Sequence, residues 1–508
     1  MSFNIEAVLR EAAANRPDRP MLHFGDQSFS YAEVEEASSR VAACLMALGL
    51  KPGERVAVRL PNIPQFVFAY FGIMKAGLVM VPLNPLLRAA EIAHHLRDSG
   101  SAVLITSDEF TEEALKGLDQ FDNDVTTFVV RRSATSLPVG TRDFDDLLTA
   151  EPLETAVATS ADDTAVIIYT SGTTGLPKGA ELTHLGLYMN CTLAAETFEL
   201  RGDDVGMAVL PLFHVFGLSS VLNTTIRYGG TLVLVPRFEI TAVIDAIERH
   251  RVTLFAGVPT MYVALLNADT TGRDMSCLRM GSSGGSAMPD QVRQGIEDKF
   301  PGMEVLEGYG MSETASAAAF NRNDSRRAMS VGKPMWGVQM RVVDGDDLPL
   351  PRGQEHVGEI LVRGHNVMKG YFGNPEATAD AIRDGWLHTG DLGYVDEDGY
   401  FFIVGRKKDL VIRGGYNVYP REVEEVLFAH PAVLEAAVVG RPDVVLGEEV
   451  VAFVVVRPDT SADGAEIIAY CRERLAAYKY PREVRLVEAL PKGPSGKILK
   501  RDLVLSLT

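Results

Sequence analysis

Over roughly its first four hundred residues the chain alternates between two hydrophobic periods, and this alternation restricts its fold more than any other feature. Tyr31 to Leu48 carries apolar Val34, Val41, Leu45 and Leu48 at helical spacing, and the run RVAVRL at 55–60 follows as a strand. Gln65 to Lys75 then predicts a helix, LVMVPL at 78–83 a strand, Ala90 to Asp98 a helix and AVLITS at 102–107 a strand. A βαβ rhythm of this kind predicts an α/β fold of mainly parallel sheets covered by helices, with ligands beyond the carboxyl ends of the strands. After Gly337 the texture changes to short alternating runs, MRVVDG, GEILVRG and GYFFIVG, punctuated by glycine, which predicts a smaller β-rich part. From about Lys408 onward the chain has its own strands (AAVVG, VVAFVVV) and its own helices (PREVEEVLFAH, EIIAYCRERLAAY), which predicts a small α+β C-terminal domain. At 508 residues with 46% hydrophobic content a division is expected, because single cores stop growing near roughly 250–300 residues.

Charge and cysteine usage exclude several function classes. The formal net charge of -19 repels polyanions, so no nucleic-acid partner is expected. Cys44, Cys191, Cys277 and Cys471 stand far apart, with no metal-ligand or disulfide spacing, as in a protein with reduced thiols in the cytoplasm. The opening MSFNIEAVLREAA places Glu6 and Glu11 where a secretory signal would be basic and then apolar. The longest apolar stretch, Phe66 to Leu83, is broken by Gly72, Lys75, Gly77 and Pro82, and reads as a buried helix turning into a strand rather than a membrane span. Neither solenoid repeats nor low-complexity segments are present.

The chemistry is concentrated first in YTSGTTGLPKGA, from Tyr169 to Ala180, directly after the apolar run Thr164 to Ile168. A strand entering a loop rich in glycine and hydroxyls can wrap backbone N–H groups around phosphate oxygens, with a lysine to neutralise charge. Thr170, Ser171, Gly172, Thr173, Thr174 and Lys178 supply those groups. The loop is not of Walker A type, since Pro177 stands five residues after Gly172 where that motif has its second glycine.

This stretch resembles the phosphate loop of the adenylate-forming superfamily, and of its AMP-forming acyl- and aryl-CoA synthetases in particular. Six further motifs follow in the family's order: PLFHVFG (211–217), GVPTMY (257–262), SSGGSAM (282–288), EGYGMSET (307–314), the long run GWLHTGDLGYVDEDGYFFIVGRKKDLVIRGGYNVYPREVE (385–424) and PKGPSGKILKR (491–501). The resemblance spans nearly the whole chain. It implies an ATP-dependent ligase, using magnesium, that joins a carboxylic acid to AMP and then transfers the acyl group to CoA.

Site residues follow from the resemblance motif by motif. Ser171, Thr173, Thr174 and Lys178 would hold the β- and γ-phosphates, Glu313 would bind magnesium, and Ser312, where the family often has threonine, would donate to the α-phosphate. Tyr309 would stack on adenine, with Gly310, Met311 and Gly284 close to the nucleotide, while Asp391 and Arg406 would serve the ribose. Lys497 would bridge the incoming carboxylate and the α-phosphate. Seven basic residues against three acidic ones between Lys479 and Asp502 give that region a local positive excess. Lys408 would be the hinge between a domain of residues 1–407 and a mobile one of 409–508, whose Gly414 and Gly415 would meet the CoA pantetheine in a second orientation.

The acid pocket is less constrained. His214, Val215 and Phe216 stand where amino-acid-activating relatives carry an aspartate, so an uncharged tail is expected, with His214 at the pocket mouth beside Val258 and Gly284. The run TASAAAF leaves volume at Ala315 and Ala317; if it is a strand lining the pocket, it predicts a channel for a medium- to long-chain fatty acid, with aryl acids of the cinnamate or benzoate type as the alternative. Transfer to a carrier protein is a further alternative, against which the stretch from Gly337 to Gly370 shows no extra insertion. Lipid substrates would permit peripheral membrane contact, though no strongly basic amphipathic helix is present, and monomer and homodimer both stay open.

Overall fold

The structure, a computed structural model, describes residues 3–120, 124–133, 136–170, 176–458 and 460–507. Ser171, Gly172, Thr173 and Thr174 of the phosphate loop lie outside the described residues. The expected βαβ rhythm is present, with Tyr31–Ala47, Pro64–Lys75 and Ala89–Ser99 helical and Arg55–Arg59, Val79–Pro82 and Val103–Ser107 extended. Ser30 starts the first of these helices as a capping box with Glu33. Pro64–Lys75 is apolar all round because it is buried all round, which accounts for the longest apolar stretch without a membrane. Among the described residues no helix is long and apolar enough to cross a membrane.

Two large sheets organise the first part of the chain. The seven-stranded sheet runs in the spatial order 142–143, 126–130, 103–107, 55–59, 79–82, 164–170, 178–183. Its pairs are parallel except the last, a hairpin that sets Thr170 opposite Lys178. The nine-stranded sheet is parallel from 20–24 through 231–234, 205–208, 254–257 and 280–283 to 304–309, with short antiparallel strands at both edges. One face of the seven-stranded sheet shares a large apolar core with the nine-stranded sheet, while its other face packs Ala57, Val79, Val81 and Leu104 against Ile92 and Leu96 of Ala89–Ser99 in a separate cluster. Strands 164–170, 254–257, 280–283 and 304–309 end in the motifs singled out above, as expected for parallel strands that deliver ligand groups at their carboxyl ends.

The β-rich part is an antiparallel sheet of 338–343, 358–364, 386–395 and 382–383, with 401–406 paired to 386–395. Beyond it, Val411–Arg413, Tyr416–Val418, Val433–Asp443, Gly447–Val456 and Glu483–Leu486 make a separate sheet, packed with Pro420–Phe428 and Gly464–Arg474 around its own apolar core. Between these two parts Lys408 is exposed in a turn closed by the Asp409 N–H on the Arg406 carbonyl (3.0 Å). Polar contacts dock the last part on the rest of the chain. Thr260 Oγ1 donates to the Gly496 carbonyl (2.9 Å), Arg421 Nη1 to the Ile403 carbonyl (2.6 Å), and Arg457 Nη1 to Asn267 Oδ1 (3.0 Å).

Candidate active site

Tyr309 ends the strand Glu304–Tyr309, and its phenol donates to Asp391 Oδ2 (2.7 Å). Asp391 is a buried residue of the long strand Trp386–Val395, directly opposite Arg406 on Phe401–Arg406, and Arg406 Nε reaches Asp391 Oδ1 (3.0 Å). One carboxylate is thus held on both oxygens. Gly310 follows Tyr309 because no side chain fits there: a Cβ would lie 1.8 Å from the Ser316 carbonyl oxygen. Met311 N–H donates to Thr314 Oγ1 (2.9 Å), tightening the single 3₁₀ turn Ser312–Thr314 that presents Ser312 and Glu313.

Glu313 Oε1 accepts from Tyr371 Oη (3.0 Å) and, more weakly, from Thr170 Oγ1 (3.4 Å). Lys178 Nζ lies over the same tyrosine ring, 5.2 Å from its centroid. Burial and then the Glu313 charge push the Tyr371 phenol well above its ordinary range, so it stays a donor. Sequence reasoning missed Tyr371. It sits in MKGYFG, 58 residues from Glu313, in a segment without hydrophobic period, and only the folded chain brings the two together.

Lys497 approaches from the C-terminal part. Burial, followed by the Arg406 charge, lowers its ammonium to about 8. The Phe216 N–H donates to His214 Nδ1 (3.2 Å), which leaves the proton of the neutral ring on Nε2. Burial, and second the nearby Lys497 charge, lower His214 to about 4. Val258 is buried and touches the Lys497 loop, since a Cβ on Gly496 would come within 3.0 Å of its Cγ2. Val215 is buried behind His214, and the Phe216 ring lies against Gly284, 3.1 Å from where a Cβ would stand.

One expectation needs correction. TASAAAF is not a strand along a channel. Ala315 and Ser316 have positive φ (52° and 107°), and only Ala319–Phe320 is extended. The Ala317 carbonyl is tied to the side-chain amides of Asn190 (2.9 Å) and Asn366 (2.7 Å), while Ala317, Ala318 and Ala319 pack with Phe198 and Phe320 in a second core. Ala315 belongs to the main core. The small side chains are used for tight packing. Gly414 and Gly415, with φ of 58° and 81°, form a hairpin turn inside the C-terminal sheet, where the Gly414 N–H donates to the Leu446 carbonyl (2.7 Å), and they do not join Lys497 at the site in this orientation.

Residues 9–372 match the family described as AMP-binding enzyme, and residues 422–497 match the AMP-binding enzyme C-terminal domain. The chain belongs to the AMP-binding enzymes. It is 37% identical to the long-chain-fatty-acid–CoA ligase of Bacillus subtilis (strain 168), over 98% of this chain and 94% of that protein. It is 39% identical to a feruloyl-CoA synthase of Amycolatopsis sp., over 96% of each. Among solved structures it resembles the anthranilate CoA ligase AuaEII in complex with anthranoyl-AMP, with a TM-score of 0.93 and 30% identity over 100% of this chain and 97% of that one. The enzyme is an AMP-forming acyl-CoA synthetase, with ATP and CoA as co-substrates. The two family matches bracket Lys408, between the domain ends at 372 and 422.

Proposed function

We propose that this ligase activates an uncharged aryl or short-chain monocarboxylic acid as its acyl-AMP and passes it to CoA, with chemistry centred between His214, Lys497 and the Asp391–Arg406 pair. The observation that carries this reading is the docking of the Gly496 loop, from the last part of the chain, on Val258 and Thr260 of the first, which brings the Lys497 charge within reach of His214 and Asp391. In the first step a carboxylate oxygen bonds the α-phosphorus and the bond to the β-phosphate breaks, releasing pyrophosphate. Lys497 offsets negative charge shared between the carboxylate and the α-phosphate, and His214 Nε2–H orients the acid. In the second step the thiolate of CoA bonds the acyl carbon and AMP leaves. No protein nucleophile is needed for either.

Asp391 would accept the ribose hydroxyls, Arg406 would hold it in place, and Tyr309 would present its ring to the base. Glu313 suits magnesium, since its Oε2 takes no hydrogen bond from the described residues and a hard cation prefers carboxylate oxygen. Among those residues no group of three acidic, histidine or cysteine side chains is placed to hold a metal. Bound there, magnesium would neutralise charge on the β- and γ-phosphates. Lys408 is proposed as the hinge between residues 1–407 and 409–508, with Gly414 and Gly415 reaching CoA after rotation.

Three observations support a compact acid: the alanines are consumed in packing, Phe216 closes over Gly284, and Ser220 and Ser316 pair their hydroxyls 2.7 Å apart a turn beyond Phe216. The apolar Val215 and Val258 and the fatty-acid relative support the second reading, a medium- to long-chain fatty acid. The test is AMP release with ATP, magnesium and CoA against straight-chain acids from acetate to about C18, with benzoate, coumarate and ferulate in the same panel. Peak activity on the aromatic acids is expected. A rate that climbs with each methylene past about C10, as ~0.8 kcal/mol per buried methylene would produce, would establish the alkyl channel instead.

A further inference from the structure

Residues 368–372 tie together two parts of the site that come from distant stretches of chain. The Met368 N–H donates to the Glu313 carbonyl (2.9 Å), and the Lys369 and Phe372 N–H groups donate to the carbonyls of Glu181 (2.9 Å) and Gly179 (2.8 Å). The segment thereby lies as an added edge along Lys178–Thr183, with Tyr371 bridging to Ala180. Its side chain then stands between two groups of opposite charge, the phenol on Glu313 and the ring face under the Lys178 ammonium.

We propose that Tyr371 is a positioning residue with two separable parts, a hydroxyl that turns Glu313 Oε2 toward the metal–phosphate side and a ring that holds Lys178 over the same place. Among the described residues both hydrogen bonds to the Glu313 side chain fall on Oε1, which leaves Oε2 as the oxygen facing away from Tyr371 and Thr170. A lysine held on a ring face keeps its charge while losing conformers, which removes part of the ordering cost of ATP binding. The ring and the hydroxyl therefore act on different partners, magnesium through Glu313 and phosphate through Lys178.

This inference rests on the proposed roles of Glu313 and Lys178, and its test is binding rather than turnover. ATP is titrated calorimetrically into full-length enzyme without acid or CoA, once with EDTA and once with saturating magnesium, for wild type, Tyr371→Phe and Tyr371→Leu. Tyr371→Phe keeps the ring, so its affinity in EDTA stays within about twofold of wild type while the gain from magnesium falls about tenfold, the scale of one lost hydrogen bond to a charged group. Tyr371→Leu shows the same reduced gain and also binds ATP about threefold more weakly in EDTA, the scale of a partly exposed cation–π contact. Full magnesium enhancement in Tyr371→Phe overturns the proposal, as does an equal loss with and without magnesium in both variants, which marks a merely structural tyrosine. A wild-type enzyme that binds ATP no better with magnesium than without would overturn the metal role of Glu313 along with it. Failure of wild type to turn over any acid in the panel above would strike the proposed function and leave this binding result standing.

Discussion

Lys497 is a cation under tension: burial and the Arg406 guanidinium both favour its neutral form, and its pKa falls to about 8. The charged form is what the proposed adenylation step uses, and it is populated below that value. The expected outcome is that kcat/KM for ATP in the adenylation half-reaction falls as pH rises through about 8, measured by pyrophosphate exchange. Lys497→Ala should lower that rate about a thousandfold while ATP still binds. His214 adds no second limb near 6.5, because with a pKa of about 4 it is already neutral across the working range. Both residues were legible from their motifs. Their protonation was not, since it depends on desolvation and on charges that approach only in the folded chain.

The helix Ala89–Ser99 braces the hairpin that carries the phosphate loop. Asp98 Oδ2 accepts from the Tyr169 phenol (2.6 Å), His94 Nε2–H donates to the Pro177 carbonyl (3.2 Å), and the His95 ring packs edge-on to Tyr169 at 4.5 Å. One contact secures the strand entering the loop and another the strand leaving it. Tyr169→Phe is therefore expected to raise KM for ATP about fivefold, with kcat within about twofold, because it loosens ATP binding more than the chemistry; steady-state ATP saturation with a good acid checks this. The helix itself was legible from its apolar period, as were the strands on either side. Its polar face was not, because helical period identifies which residues are buried and is silent about which strand end the remaining face will meet. The same limit explains the alanine run after Glu313. Small residues in sequence are compatible with a channel wall or with close packing, and the positive φ at Ala315 and Ser316 turned that segment into the core.

At the scale of the molecule, the role proposed for Lys497 makes adenylation depend on how the C-terminal part sits. Gly496 has a φ of 80° and lies against Val258, and its carbonyl accepts from Thr260. Gly496→Ala should strain the backbone and push the Lys497 loop off the first domain, slowing adenylation about tenfold, for a penalty of ~1–2 kcal/mol. Thioester formation from preformed acyl-AMP and CoA, which the proposed second orientation serves, should change little in a single-turnover assay. By itself the sequence determined the α/β class, the separate C-terminal unit and the family, and it named most of the residues proposed for the site, because periodicity, glycine placement and motif spacing are local properties of the chain. Only the tertiary structure decided that Tyr371 lies between Glu313 and Lys178, that the alanines fill a core, and that the Gly496 loop before Lys497 docks on Val258 and Thr260. Those are contacts between residues dozens to hundreds of positions apart, and the energies that set them, desolvation, close packing and charge at short range, exist only once the chain has folded.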